Sequence, residues 1–160
     1  MKPRITSPAV TIPGALESLQ ALSKAASDAA AQAGLAQNTL DLVSLRASQI
    51  NGCAVCLDMH ARALKKAGES NERLATLAAW REAPYFTEGE RAALALTEAA
   101  TRLADRPNPV PDAIWDEAAR HFEAPAMAAL VVSIAAINTW NRLNVTTGQI
   151  AGEWTAQWVA

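Results

Sequence analysis

The chain has 160 residues, 51% of them hydrophobic and 19% charged, with a formal net charge of −2. That is enough apolar material for one domain with a buried core, and it excludes an intrinsically disordered chain. The nearly balanced charge leaves no basic footprint for nucleic acid or anionic lipid, so neither is expected as a partner.

Ala is abundant and β-branched residues are sparse until late in the chain, which favours helix over strand. Residues 1–13 are punctuated by proline and read as an N-terminal arm that cannot be a regular helix. Such an arm is usually frayed or laid across a neighbouring subunit. It contains no apolar h-region of a signal peptide, so a cytoplasmic address is expected. The helical domain is assigned to residues 14–160.

The first helix is expected from Ala15 to about Ala33, stopping at Gly34. A second fits Asn38 to Ile50 and is broken by Asn51-Gly52. A third runs from Cys53 to Ala67, with Asn51 as a candidate cap and Gly68 as its stop. Ser70 opens a fourth, through Trp80. Thr87-Glu88-Gly89-Glu90 is a capping-box pattern that starts a fifth, to about Ala104. Pro111 suits the N1 position of a sixth, to Phe122, and Pro125 opens a last helix toward Ile150. The apolar run Ala126 to Ile137 is too short to span a bilayer and reads as buried. The expected fold is all-α, a single bundle of about seven helices.

The chemistry concentrates in Cys53-Ala54-Val55-Cys56-Leu57-Asp58-Met59-His60. The segment holds both cysteines and one of the two histidines. At ~100° per residue, Cys53, Cys56 and His60 fall within an arc of ~60° on one helix face. The nucleophile of thiol chemistry is the thiolate. A helix N-terminus stabilises it, His60 at i+4 from Cys56 can take its proton, and the second thiol can capture its oxidised form. A thiolate that attacks a peroxide becomes a sulfenic acid. A neighbouring thiol then condenses with it to a disulfide, and an external dithiol resets the pair. The helix dipole favours Cys53 by ~0.3–1 kcal/mol. A positioned base contributes ~10²–10⁴-fold in rate. The second effect is larger, so Cys56 is assigned as attacking thiol and Cys53 as resolving thiol.

If the second and third helices pair antiparallel about Asn51-Gly52, Asp41 lies ~15 Å back from the turn and His60 ~12 Å forward. Asp41 then stands beside His60 and fixes its tautomer. Ser48, nearer the turn, can hydrogen-bond close to the cysteines. Taken alone, Asp41 reads as a solvated helix acid.

Other readings of the same residues stay open. Cys53, Cys56 and His60 could ligate zinc with His121 as a fourth ligand, although structural zinc sites usually pair two ligand clusters. Two inert core cysteines are a further possibility. Trp80, Trp115, Trp140, Trp154 and Trp158 read as core and subunit contacts rather than a cofactor box. Asn138, Asn141 and Asn144 form a polar stripe, either solvating a helix end or bonding across a packed boundary.

The segment Leu42 to His60 resembles the core of the alkylhydroperoxidase D-like branch of the carboxymuconolactone decarboxylase family. Trp80 to Leu96 and Ile134 to Arg142 are similar to flanking parts of that branch. The resemblance covers about residues 35–150. It implies an all-α subunit assembling into trimers or hexamers, and a peroxidase whose second cysteine attacks. The resemblance puts a relay carboxylate at Asp41, where the family usually has Glu, so that contact to His60 through water is expected. Some members carry a histidine between the cysteines, where this chain has Val55. The function expected is a dithiol peroxidase that reduces hydroperoxides, using an external dithiol such as a lipoyl-type carrier and no cofactor or metal. The alternatives are a thiol–disulfide oxidoreductase or redox partner, and a non-catalytic oligomeric or metal-binding protein.

Overall fold

The computed structural model describes residues 1–104, 106–152 and 154–155. Among them there are eight α-helices and no strand: α1 (Pro8–Thr11), α2 (Ala15–Gln32), α3 (Gln37–Asn51), α4 (Ala54–Lys66), α5 (Asn71–Thr76), α6 (Glu88–Thr101), α7 (Asp112–His121) and α8 (Ala124–Thr147). A 3₁₀ turn, Leu77–Ala79, follows α5. The all-α, single-domain expectation is met. The additional helix is α1, inside the proline-punctuated arm: Pro8 sits at its start, where a missing N–H costs nothing and the fixed φ suits the first turn. The arm folds back on its own chain. Arg4 donates from its backbone N–H to Thr147 O at 2.9 Å and from its guanidinium to Thr146 O at 2.8 Å.

The helix starts follow local chemistry, with three corrections. Asn51 does not cap the dithiol helix. It is the last residue of α3, and the N-cap of α4 is Cys53, whose extended backbone keeps it outside the helix. Pro111 is the N-cap of α7 rather than its first helical residue. The fourth expected helix is only six residues long before it tightens into the 3₁₀ turn. The capping box of α6 is present as expected: Thr87 Oγ1 accepts from Glu90 N, and the Glu90 carboxylate accepts from Thr87 N at 2.8 Å. Gly52 closes α3 at φ +70°, a left-handed conformation that disfavours a side chain.

The central element is α3, which packs against α8, α4 and α6. One core cluster joins α2, α3, α6, α7 and α8 around Val43, Ala93 and Leu130, all 0% exposed. A second fills the space between α3, α4, the 3₁₀ turn and α6 with Leu42, Leu64, Leu77 and Leu94. Each such side chain contributes ~1.5–3 kcal/mol by leaving water. By length and composition α8 could cross a bilayer. Here it packs on α2 and α3 and carries the buried amides Asn138 and Asn141, as the core helix of a bundle does. A third, small cluster holds Ala47, Cys53, Val55, Cys56 and Ile137, so the dithiol lies where α3, α4 and α8 meet.

Candidate active site

The turn between α3 and α4 is fixed before any chemistry begins. Asn51 Nδ2 donates to Asn138 Oδ1 and Asn141 Oδ1, both at 2.9 Å. Asn138 Nδ2 donates in turn to Thr101 Oγ1 at 3.1 Å, and Asn141 Nδ2 to Ser48 Oγ at 3.0 Å. Asn138 and Asn141 are buried, so each amide left unpaired would cost about 1–3 kcal/mol. The asparagine stripe therefore bonds across a packed boundary. It pins the dithiol turn to α8.

Cys53 and Cys56 are joined as a disulfide, with their Cα atoms 5.4 Å apart. Cys53 Sγ also accepts a hydrogen bond from the backbone N–H of Cys56 at 3.3 Å. As the N-cap, Cys53 thus receives the field of the helix start. Cys56 receives a different donor, Asn144 Nδ2 at 3.4 Å from its sulfur. The stripe had marked Asn144, but nothing in sequence could say that its amide meets a sulfur 88 residues away.

His60 Nδ1 lies 3.0 Å from Asp41 Oδ1, a direct contact rather than one through water. Both side chains are mostly buried, and Gln37 Nε2 donates to the other Asp41 oxygen at 3.4 Å. With Nδ1–H given to the carboxylate, Nε2 is left as the proton acceptor. Ser48 is fully buried near the turn. Its hydroxyl donates to Ser44 O at 2.7 Å and accepts from Asn141, and its carbonyl accepts from Cys53 N. It supports the turn and makes no hydrogen bond to either sulfur through its side chain.

Cys56, His60 and Asp41 open together into a cavity of about 350 Å³. Its walls come from α1 and α2 (Ala9, Val10, Leu16), from α4 (Val55, Met59) and from α8 (Ile137, Trp140), with Trp154 beyond. Trp140 and Trp154 are therefore cavity walls, a role the sequence reading missed; Trp80 is a core residue and Trp115 is exposed. Trp158 lies outside the described residues. His121 pairs with Glu117 on its own helix, and no group of three or more potential metal ligands occurs among the described residues.

An all-helical fold with a cysteine pair at a helix start, a mostly buried imidazole–carboxylate pair and an apolar cavity shared by Cys56 and that pair defines the class of protein. Residues 16–99 match the sequence profile of the carboxymuconolactone decarboxylase family, and the chain belongs to that family. It is 36% identical over 120 residues to the uncharacterized protein YdfG of Bacillus subtilis, covering 75% of this chain and 80% of that one. It is 42% identical over 43 residues to the alkyl hydroperoxide reductase AhpD of Bradyrhizobium diazoefficiens, 27% of this chain and 24% of the relative. The fold superposes on a crystal structure of an Agrobacterium tumefaciens protein of unknown function, suggested to be the antioxidant defence protein AhpD. That match has a TM-score of 0.84 and 35% identity over 94% of this chain and 99% of the other.

Proposed function

We propose that this protein is a dithiol peroxidase that reduces hydroperoxides. The observation that carries the reading is the shared cavity: one member of the redox pair, Cys56, lines it together with the His60–Asp41 pair. The Cys56 thiolate attacks the terminal oxygen of R–O–O–H. The O–O bond breaks, Cys56 becomes a sulfenic acid, and the alkoxide leaves as R–OH with the proton His60 had taken from the thiol. The Cys53 thiol then displaces the sulfenic hydroxyl, giving the disulfide and water. An external dithiol returns both cysteines to thiols and leaves as a disulfide.

The choice of Cys56 rests on access, since Cys53 is favoured by the helix start yet does not line this cavity. Mixing reduced protein with cumene hydroperoxide is expected to consume both thiols of each chain, and Cys56→Ser to abolish turnover. Full turnover in Cys56→Ser would sink the assignment. Slow oxidation by peroxide beside rapid exchange with dihydrolipoamide would favour a thiol–disulfide oxidoreductase instead. The same proposal includes a reducing, cytoplasmic setting, where a dithiol donor is available. It also includes assembly into a homo-oligomer, for which the exposed Ile12, Leu22 and Val131 are candidate contacts. Sedimentation of the pure protein as a monomer would remove that part.

A further inference from the structure

Each cysteine of the pair lines its own cavity. Cys56 lines the large one, whereas Cys53 lines a second cavity of about 140 Å³ together with Gly52, Ala54, Val145 and Gly148. Neither cysteine lines both. Cys53 is 1% exposed and Cys56 3% exposed, so a reagent reaches either sulfur only along a cavity. Asn144 lines both spaces, and its amide donates to Cys56 Sγ. We infer that the smaller cavity is the entry site for the reducing thiol, and that the disulfide is opened at Cys53.

This rests on the disulfide cycle proposed above and adds where its second half begins. Displacement at a disulfide proceeds along the S–S axis, so the nucleophile arrives on the side of the sulfur it attacks and the other sulfur leaves. A thiolate of the external dithiol entering beside Ala54 bonds to Cys53 Sγ. The S–S bond breaks and its electron pair departs on Cys56 Sγ, where the Asn144 N–H receives the negative charge. The leaving thiolate is thereby delivered into the large cavity, beside His60, in the form that meets the next peroxide. The second thiolate of the reductant then attacks its own sulfur in the mixed disulfide, closing a cyclic disulfide and releasing Cys53. Two electrons pass from the dithiol to the protein, and no other oxidant or reductant is needed. A volume near 150 Å³ holds one benzene-sized group, so the site accepts the slender end of a small dithiol.

The test uses oxidised full-length protein and 2-mercaptoethanol, quenched with acid within the first turnover, with tandem mass spectrometry locating the adduct. An adduct on Cys53 is expected; an adduct on Cys56, or equal amounts on both, overturns the inference. Ala54→Trp and Val145→Trp narrow only the smaller cavity, at exposed positions. Each is expected to slow reduction by dihydrolipoamide at least tenfold, while single-turnover oxidation by cumene hydroperoxide keeps its normal rate. Unchanged reduction in a folded variant, or equal slowing of both half-reactions, refutes it. Disulfide formed with diamide lets the adduct be mapped without peroxide. A wild-type protein inert to peroxide would therefore sink the peroxidase reading and leave the entry site standing or falling on its own result.

Discussion

His60 and Asp41 touch through Nδ1, and that single contact sets what the imidazole can do. A ring whose Nδ1–H is held by a carboxylate presents Nε2 as base. Replacing His60 with Gln is expected to slow disulfide formation by peroxide about 10²-fold or more, the usual worth of a positioned base. Asp41→Asn keeps the shape and misdirects the tautomer, with an expected loss on the order of tenfold. Free-thiol titration after rapid mixing measures both. Asn144→Ala removes the donor to Cys56 Sγ and is expected to cost on the order of tenfold in the same assay, the equivalent of one hydrogen bond to a charged group. An unchanged rate would mean that the amide only fills space.

At the scale of elements, α6 links the capping chemistry to the charge chemistry. Thr87→Ala removes its N-cap and is expected to lower stability by about 1 kcal/mol in urea unfolding. Further along the same helix, Glu98 accepts from Arg46, Arg81 and Trp80 and also faces Arg102. Burial pushes its carboxyl up, but the hydrogen bonds from Arg81, Trp80 and Arg46 outweigh it and bring the pKa down to about 2. The folded value lies below the ordinary 4.5, so the stabilisation is complete above that pH and is lost as pH falls toward 2. It amounts to on the order of 3 kcal/mol at neutral pH. Glu98→Gln is expected to flatten the acid limb of a stability–pH curve and to destabilise the protein at pH 7, because three guanidiniums lose their counter-charge. A variant as acid-sensitive as the parent would assign that limb to other carboxylates.

Over the whole molecule, the N-terminal arm and Trp154 complete the cavity. The arm crosses to the end of α8 and sets Ala9 and Val10 into the cavity wall. Thr155 hydrogen-bonds Asp58, which, with burial opposing and Arg62 assisting, holds that carboxyl below its usual range. Deleting residues 1–12 strips one apolar wall. The rate with cumene hydroperoxide is expected to fall toward that with hydrogen peroxide, since a small oxidant needs no wall. Paired kcat/KM values for the two substrates check this; an unchanged ratio would free the arm from any part in selection.

The residues that do local chemistry were legible in the sequence. Helix periodicity, Gly52, the Thr87–Glu90 box and the dithiol–histidine spacing express forces acting within a turn or two, so the all-α class and most helix limits could be read directly, whereas the approach of Asp41 to His60 followed only if the two helices paired, and was expected through water. Three things could not. That Asn51 joins an amide network instead of capping α4, that Asn144 meets Cys56, and that each cysteine lines a separate cavity all depend on α8 returning about ninety residues later to cover the turn. Local sequence specifies backbone preference and which groups need partners. Which partner each group finds is decided by packing, because burial acts on whichever surfaces the bundle brings together, however far apart they lie along the chain.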